Sequence, residues 1–390
     1  MTTLARLSLV LGITLLGACT TSQPDPIEQT RHPIPAHPPV AAKPVIDADA
    51  VKQKLEERTA DLAHPAAPGV PKQLMAPATV SGEIRMAMEP PDRENYGHFD
   101  DNPVKRVAET PISTFSIDVD TGSYSNVRRF LNQGRLPVKD AVRVEELVNY
   151  FSYDYPLPKD RSRPFSVTTE IAPTPWNANT HLMRVGLKGF DIAAEKLPAA
   201  NLVFLVDISG SMHSPDKLPL LKNGLKLLVQ KLRAQDRVSL VVYAGNTGVI
   251  LEPTPGDQKA RIIAALDRLT AGGSTNGGAG IKLAYAMAEQ GYIKNGINRV
   301  LLATDGDFNV GTVSFEALKD LVEQKRKTGV SLTTLGFGTG NYNDRLMEQL
   351  ADIGNGHYAY IDNLNEANKV LVNEMSSTLE TIAKDVKIQV

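Results

Sequence analysis

The stretch Leu202-Val203-Phe204-Leu205-Val206-Asp207-Ile208-Ser209-Gly210-Ser211 leads from five consecutive apolar residues into one carboxylate and two hydroxyls. An unbroken apolar run of this length fits a strand covered on both faces of a sheet. Val238–Ala244, Arg299–Thr304, Ser331–Phe337 and Tyr358–Ile361 are similar β-rich runs. Between them, Leu218–Leu232, Asp257–Leu269, Ile281–Gln290, Phe315–Lys327 and Asp344–Ile353 have helical spacing, and Gly248–Leu251 reads as a brief edge strand. Strand alternating with helix predicts parallel strands joined by crossover helices. The fold class is therefore α/β, a doubly wound, Rossmann-like parallel sheet over residues 198–382. A long helix, Glu366–Ile382, closes it, and Lys384–Val390 then alternates like the start of a strand.

In doubly wound sheets, ligands bind beyond the carboxyl ends of the strands, where the strand order reverses. Asp207, Ser209 and Ser211 stand at i, i+2 and i+4 as the chain leaves its strand, and can aim at one point. Gly210 lets the backbone bend tightly between them. The turn Gly272–Gly278 places another hydroxyl, Thr275, just before a helix, and Thr304-Asp305-Gly306-Asp307 brings a second carboxylate to the same edge. Oxygen donors without Cys or His select a hard cation: Mg²⁺, with Mn²⁺ or Ca²⁺ compatible. These donors leave an Mg²⁺ shell incomplete, so the open position suits an Asp or Glu side chain from a protein partner.

Asp207-x-Ser209-x-Ser211, Thr275 and Thr304-Asp305-Gly306 together resemble the metal-ion-dependent adhesion site of von Willebrand factor type A domains. The resemblance implies that Ser209, Ser211 and Thr275 contact the metal directly or through water, while Asp207 and Asp305 act largely as anions behind that water. It also implies that the closing helix shifts between closed and open states.

Ahead of this domain, residues 103–195 read as a small α+β unit. Its strands are Thr114–Val119, Phe165–Ile171 and His181–Leu187, and its helices Ser123–Asn132 and Lys139–Phe151. Trp176, the only tryptophan, lies in the turn Pro173-Thr174-Pro175-Trp176-Asn177 and is expected to anchor the two folded units together. Phe115–Thr121, Asn126–Leu131 and Val142–Glu146 resemble the amino-terminal region of a bacterial lipoprotein family carrying this type A domain. Members usually continue into a further domain, so residues 383–390 are expected to begin one. Strands before Asn201 and after Thr381 are expected to pair, making the α/β domain an insertion whose last helix transmits force.

The amino terminus has the form of a secretory signal over residues 1–18. Leu7–Leu16 is compact and mostly apolar, and Leu16-Gly17-Ala18-Cys19 resembles the bacterial lipobox, which makes the only cysteine a lipid anchor. Thr20 implies, by analogy, an outer-membrane lipoprotein facing the periplasm. Residues 19–102 hold half of all prolines and read as a tether. A single cysteine excludes an internal disulfide. Lys+Arg total 42 against 44 Asp+Glu, which removes the phosphate attraction that nucleic-acid binders rely on.

Other readings are weaker. Asp120-Thr121-Gly122 spells an aspartic-protease loop, but that chemistry needs two such aspartates and the triplet occurs once. Thr121 or Ser123 is expected to cap the helix that follows. Asp118-x-Asp120-x-Gly122 lacks the EF-hand spacing, and Gly272–Gly280 lacks the Gly-Lys-Ser/Thr ending of a P-loop. A metal-dependent hydrolase using His213 or Asp307, or a structural spacer, are the alternatives. The preferred reading is a non-enzymatic, cation-dependent adhesion or scaffold module of the bacterial cell envelope.

Overall fold

The computed structural model describes residues 93–390 except 118, 161, 191, 307–313, 375–378, 380, 384 and 385. The strands are β1 (Thr114–Ser116), β2 (Phe165–Thr174), β3 (Asn177–Gly189), β4 (Ala200–Asp207), β5 (Arg237–Tyr243), β6 (Thr247–Pro255), β7 (Ile297–Thr304), β8 (Ser331–Phe337), β9 (Tyr358–Ile361) and β10 (Lys387–Gln389). The α-helices are α1 (Gly122–Asn132), α2 (Val144–Asn149), α3 (Leu218–Lys231), α4 (Lys259–Asp267), α5 (Gly277–Gln290), α6 (Phe315–Lys327), α7 (Asp344–Ile353) and α8 (Leu364–Asn368).

Six strands form the central sheet in the order β6-β5-β4-β7-β8-β9. All neighbours are parallel except β5 and β6, which form an antiparallel hairpin. The chain moves outward from β4 to β6, then crosses back to β7. Strand order thus reverses between β4 and β7, and their carboxyl ends carry Asp207 and Thr304. Every residue of both strands is buried. Leu202, Phe204 and Val206 face one side of the sheet, in a core with Leu221, Leu225 and Leu228 of α3 and Ile262 of α4. Val203 and Leu205 face the other, with Ile281 and Ala284 of α5 and Leu318 of α6. Period-two alternation within the apolar run Leu202–Val206 is what builds two cores from one segment.

Residues before β4 cover the β9 edge of this sheet. Asp120 accepts the Tyr358 backbone N–H at 2.8 Å, and Ser125 Oγ donates to the Tyr360 carbonyl at 2.6 Å. The Asp-Thr-Gly loop is therefore a docking element that occupies exposed edge groups of β9. Neither Thr121 nor Ser123 caps α1, contrary to expectation. Ser123 Oγ instead donates to the Ala141 carbonyl and accepts from the Arg143 N–H. The helix expected over Lys139–Phe151 is interrupted: a 3₁₀ turn ends at Ala141, and α2 starts only at Val144. Extended backbone at Val142 and Arg143 separates them, and the Arg143 guanidinium is buried against Asp344 of α7.

Three further expectations are corrected. β6 runs for nine residues, because pairing with β5 continues well past Leu251. Trp176 is 75% exposed at the tip of the β2–β3 hairpin and anchors nothing there. The closing helix is not continuous over Glu366–Ile382: α8 ends at Asn368 and gives way to a π-turn, Lys369–Asn373. The wider turn begins at Lys369, whose ammonium lies 3.6 Å from the centre of the Tyr150 ring. After it, β10 pairs antiparallel with β1, Thr114 opposite Gln389.

Candidate functional site

Asp207 closes β4 with its side chain fully buried. One carboxylate oxygen accepts the Ser209 backbone N–H at 2.8 Å, which turns the chain into the 3₁₀ segment Gly210–His213. The other accepts the Thr304 hydroxyl at 2.7 Å and the Tyr243 hydroxyl at 3.3 Å. Three neighbouring strands thus hold one carboxylate. Burial pushes the Asp207 carboxyl up to about 6, against the opposing pull of its hydrogen bonds from Ser209 and Thr304. Burial, reinforced by Asp207, also drives the Tyr243 phenol well above its ordinary range, so it stays protonated as a donor.

Ser209 Oγ and Ser211 Oγ lie 3.0 Å apart. The loop carrying Thr275 is stitched to the same turn: Gly272 N–H donates to the Ile208 carbonyl at 2.7 Å, and Gly210 N–H to the Gly273 carbonyl at 3.0 Å. Thr275 itself is half-buried two residues beyond that bond. Asp305 follows Thr304, fully buried. Its Oδ2 accepts from Lys217 Nζ and from Asn341 Nδ2, each at 3.0 Å.

The structure therefore brings Asp207, Ser209 and Ser211 together, sets Asp305 beside them through Thr304, and holds the Thr275 loop against the same turn. Cys19 and Asp307 lie outside the described residues. His213 is exposed on the 3₁₀ turn. Sequence reasoning missed Tyr243, Lys217 and Asn341, which reach the site from elsewhere in the chain. Lys217 did leave a trace, as a charged residue directly before an apolar helix start, Leu218-Pro219-Leu220-Leu221.

This donor set fits a hard divalent cation. All donors are oxygen, and Asp207 forms no ion pair with Lys or Arg among the described residues. The 3.0 Å Ser209–Ser211 separation matches the edge of an octahedron with Mg²⁺–oxygen bonds, about 2.9 Å.

Gly306 is required by this geometry. Its φ is +81°, and a Cβ there would lie 2.4 Å from the Asn343 backbone nitrogen. Gly306→Ala is expected to cost about 2–4 kcal/mol from left-handed strain plus backbone collision. Urea unfolding of the purified variant measures it.

The family model described as the von Willebrand factor type A domain matches residues 201–373, and a second, described as von Willebrand factor, matches residues 90–184. The chain carries a von Willebrand factor type A domain. Its type A domain begins with β4 and ends in the π-turn after α8. The Escherichia coli protein YfbK is 54% identical over 306 residues, covering 77% of this chain and 53% of YfbK. The chain thus spans about half the length of that relative. Inter-alpha-trypsin inhibitor heavy chain H2 of Sus scrofa is 27% identical over 146 residues, covering 35% of this chain and 16% of its own. Among solved structures, BatB of Bacteroides thetaiotaomicron superposes with a TM-score of 0.39 at 21% identity, covering 46% of this chain and 98% of BatB. Proximal thread matrix protein 1 from the mussel byssus, solved with a zinc-occupied MIDAS motif, gives a TM-score of 0.37 at 24% identity, covering 45% of each chain.

Proposed function

We propose that the type A domain is a cation-dependent protein-binding module of the bacterial cell envelope, gripping an acidic side chain of a partner. The observation that carries this reading is the convergence of the Asp207 carboxylate and the paired Ser209 and Ser211 hydroxyls at the strand-order reversal. Asp207, Ser209, Ser211, Thr275 and Asp305 would hold the ion, with Mg²⁺ the best match to the donor set and Mn²⁺ or Ca²⁺ compatible. A divalent ion there would supply a positive charge with open coordination positions for an incoming carboxylate. Thr304 and Tyr243 orient Asp207 by donating to one of its oxygens, and the paired Ser209 and Ser211 hydroxyls lie beside it at the turn. Nothing in this arrangement asks for a general base. Lipidation at Cys19, with a tether that ends before Arg93 rather than at residue 102 because residues 93–95 bond to the Gly340–Tyr342 loop, would place the module on the outer membrane facing the periplasm; the motif Leu16-Gly17-Ala18-Cys19 supports that placement.

The test is capture from envelope extract by immobilised protein in millimolar Mg²⁺ and in excess EDTA, alongside Ser209→Ala. Capture is expected in Mg²⁺ only, and is expected to be lost in the variant. A partner retained equally under EDTA would sink the cation-bridge reading.

A further inference from the structure

Asp305 already faces a cation. Lys217 immediately precedes α3 and is 6% exposed, and its Nζ donates to Asp305 Oδ2 at 3.0 Å and to Asn341 Oδ1 at 2.8 Å. Asn341 returns a bond from Nδ2 to the same Asp305 oxygen. The three side chains form a closed triangle of hydrogen bonds, with Asp305 completely buried.

The fold makes room for this lysine. Its aliphatic stem passes over Gly338 (φ +77°), where a Cβ would lie 2.2 Å from Lys217 Cε and 2.3 Å from Cγ. Any other residue at 338 would expel the stem. On the far side, the loop presenting Asn341 is fastened by residues 93–95. Arg93 N–H donates to the Gly340 carbonyl, Asn95 N–H to the Tyr342 carbonyl, and Glu94 accepts the Gly340 N–H, each at 2.8 Å. Arg129 in turn pairs with Glu94 at 2.8 Å. An exposed lysine–carboxylate pair samples many geometries, but here both partners are buried and fixed from two sides.

We infer that Lys217 is a resident counter-ion that sets the cation affinity of the site by competing for Asp305. The inference rests on the cation-site reading above. Asp207 and Asp305 would bring two negative charges, and Lys217 cancels one. A divalent ion then enters a site of net charge −1 and leaves it at +1, a surplus that a partner's carboxylate neutralises. Without Lys217, the same ion would enter at −2 and leave no surplus. The lysine therefore weakens binding of the bare ion and makes the ion's retention depend on the arriving acidic group, a coupling that acts equally in both directions.

The experiment is calorimetric titration of the full chain with Mn²⁺ alone, comparing wild type, Lys217→Met and Lys217→Gln, with circular dichroism to show that each variant is folded. A folded neutral variant is expected to bind Mn²⁺ about tenfold tighter or more, because a like charge within a few ångströms has been removed. Equal or weaker binding in a folded variant overturns the counter-ion role while the cation site itself stands. No Mn²⁺ binding by any of the three proteins overturns both. Should neither variant fold, acylation of Lys217 in wild type, followed by mass spectrometry, decides the matter. Millimolar Mn²⁺ is expected to raise its modification as the ion loosens the hold of Asp305 on an ammonium that stays beside the site on Asn341, and unchanged modification overturns the inference.

Discussion

Replacing Arg143 with methionine is expected to destabilise the chain by about 3–5 kcal/mol, the cost of stripping the cation from buried carboxylates. Arg143 is 4% exposed, and Asp344 is fully buried. The guanidinium donates to both Asp344 oxygens, at 2.5 and 3.2 Å, and its Nε bonds Glu146. Tyr358 OH donates to Asp344 at 2.5 Å, and Ser123 N–H to Glu146 at 2.7 Å. Burial raises the Glu146 carboxyl above its ordinary range, and Arg143 opposes that rise. Methionine fills the volume but leaves two carboxylates to be neutralised by protons or to drag water inward. Lysine is expected to rescue poorly, since it cannot reproduce the forked contact. Urea denaturation monitored by circular dichroism measures the loss. A shift under about 1 kcal/mol would show that the network does not fasten residues 123–146 to the sheet.

Asp207→Asn is expected to abolish the thermal stabilisation that millimolar Mg²⁺ confers and to lower Mn²⁺ affinity by about 100-fold or more. The same variant is expected to gain stability in EDTA. The Asp207 carboxyl sits at about 6 in the folded chain, above its ordinary 3.8, with burial as the main cause. Between those two values the folded state keeps a proton that the unfolded state has released. Stability of the chelated protein therefore falls as pH rises through this window, by up to about 3 kcal/mol. Asparagine carries no such charge and is expected to flatten that part of the profile. Differential scanning calorimetry across pH 4–7, with and without Mg²⁺, reads both effects. A variant that still gains Mg²⁺-dependent stability would show that Asp207 is not needed to hold the ion.

Much of the α/β domain could be read from local patterns. α6 (Phe315–Lys327) and α7 (Asp344–Ile353) have the bounds that helical spacing predicts, and β8 and β9 those of their β-rich runs. Helices on a covered sheet need one apolar stripe, and buried strands need a continuous run, so both patterns are written in neighbouring residues. The departures occur where distant side chains intervene. The break between Ala141 and Val144 accompanies the burial of Arg143 against Asp344, 201 positions away. The π-turn beginning at Lys369 accompanies its stacking on Tyr150.

The site divides the same way. Asp207, Ser209 and Ser211 were legible because a strand running into alternating oxygen donors converges by local backbone geometry alone. That a second carboxylate, Asp305, would share their edge followed from strand alternation. Sequence by itself thus determined the strands of the sheet and the oxygen donors at their carboxyl ends, and the structure added the strand order that sets the reversal between β4 and β7. Only the tertiary structure decided the electrostatics, by burying Asp207 under the Tyr243 and Thr304 hydroxyls and by setting the Lys217 ammonium against Asp305. Proximity in the chain aligns donors along one backbone, whereas the charge around them is set by residues that meet only when separate strands and loops pack together.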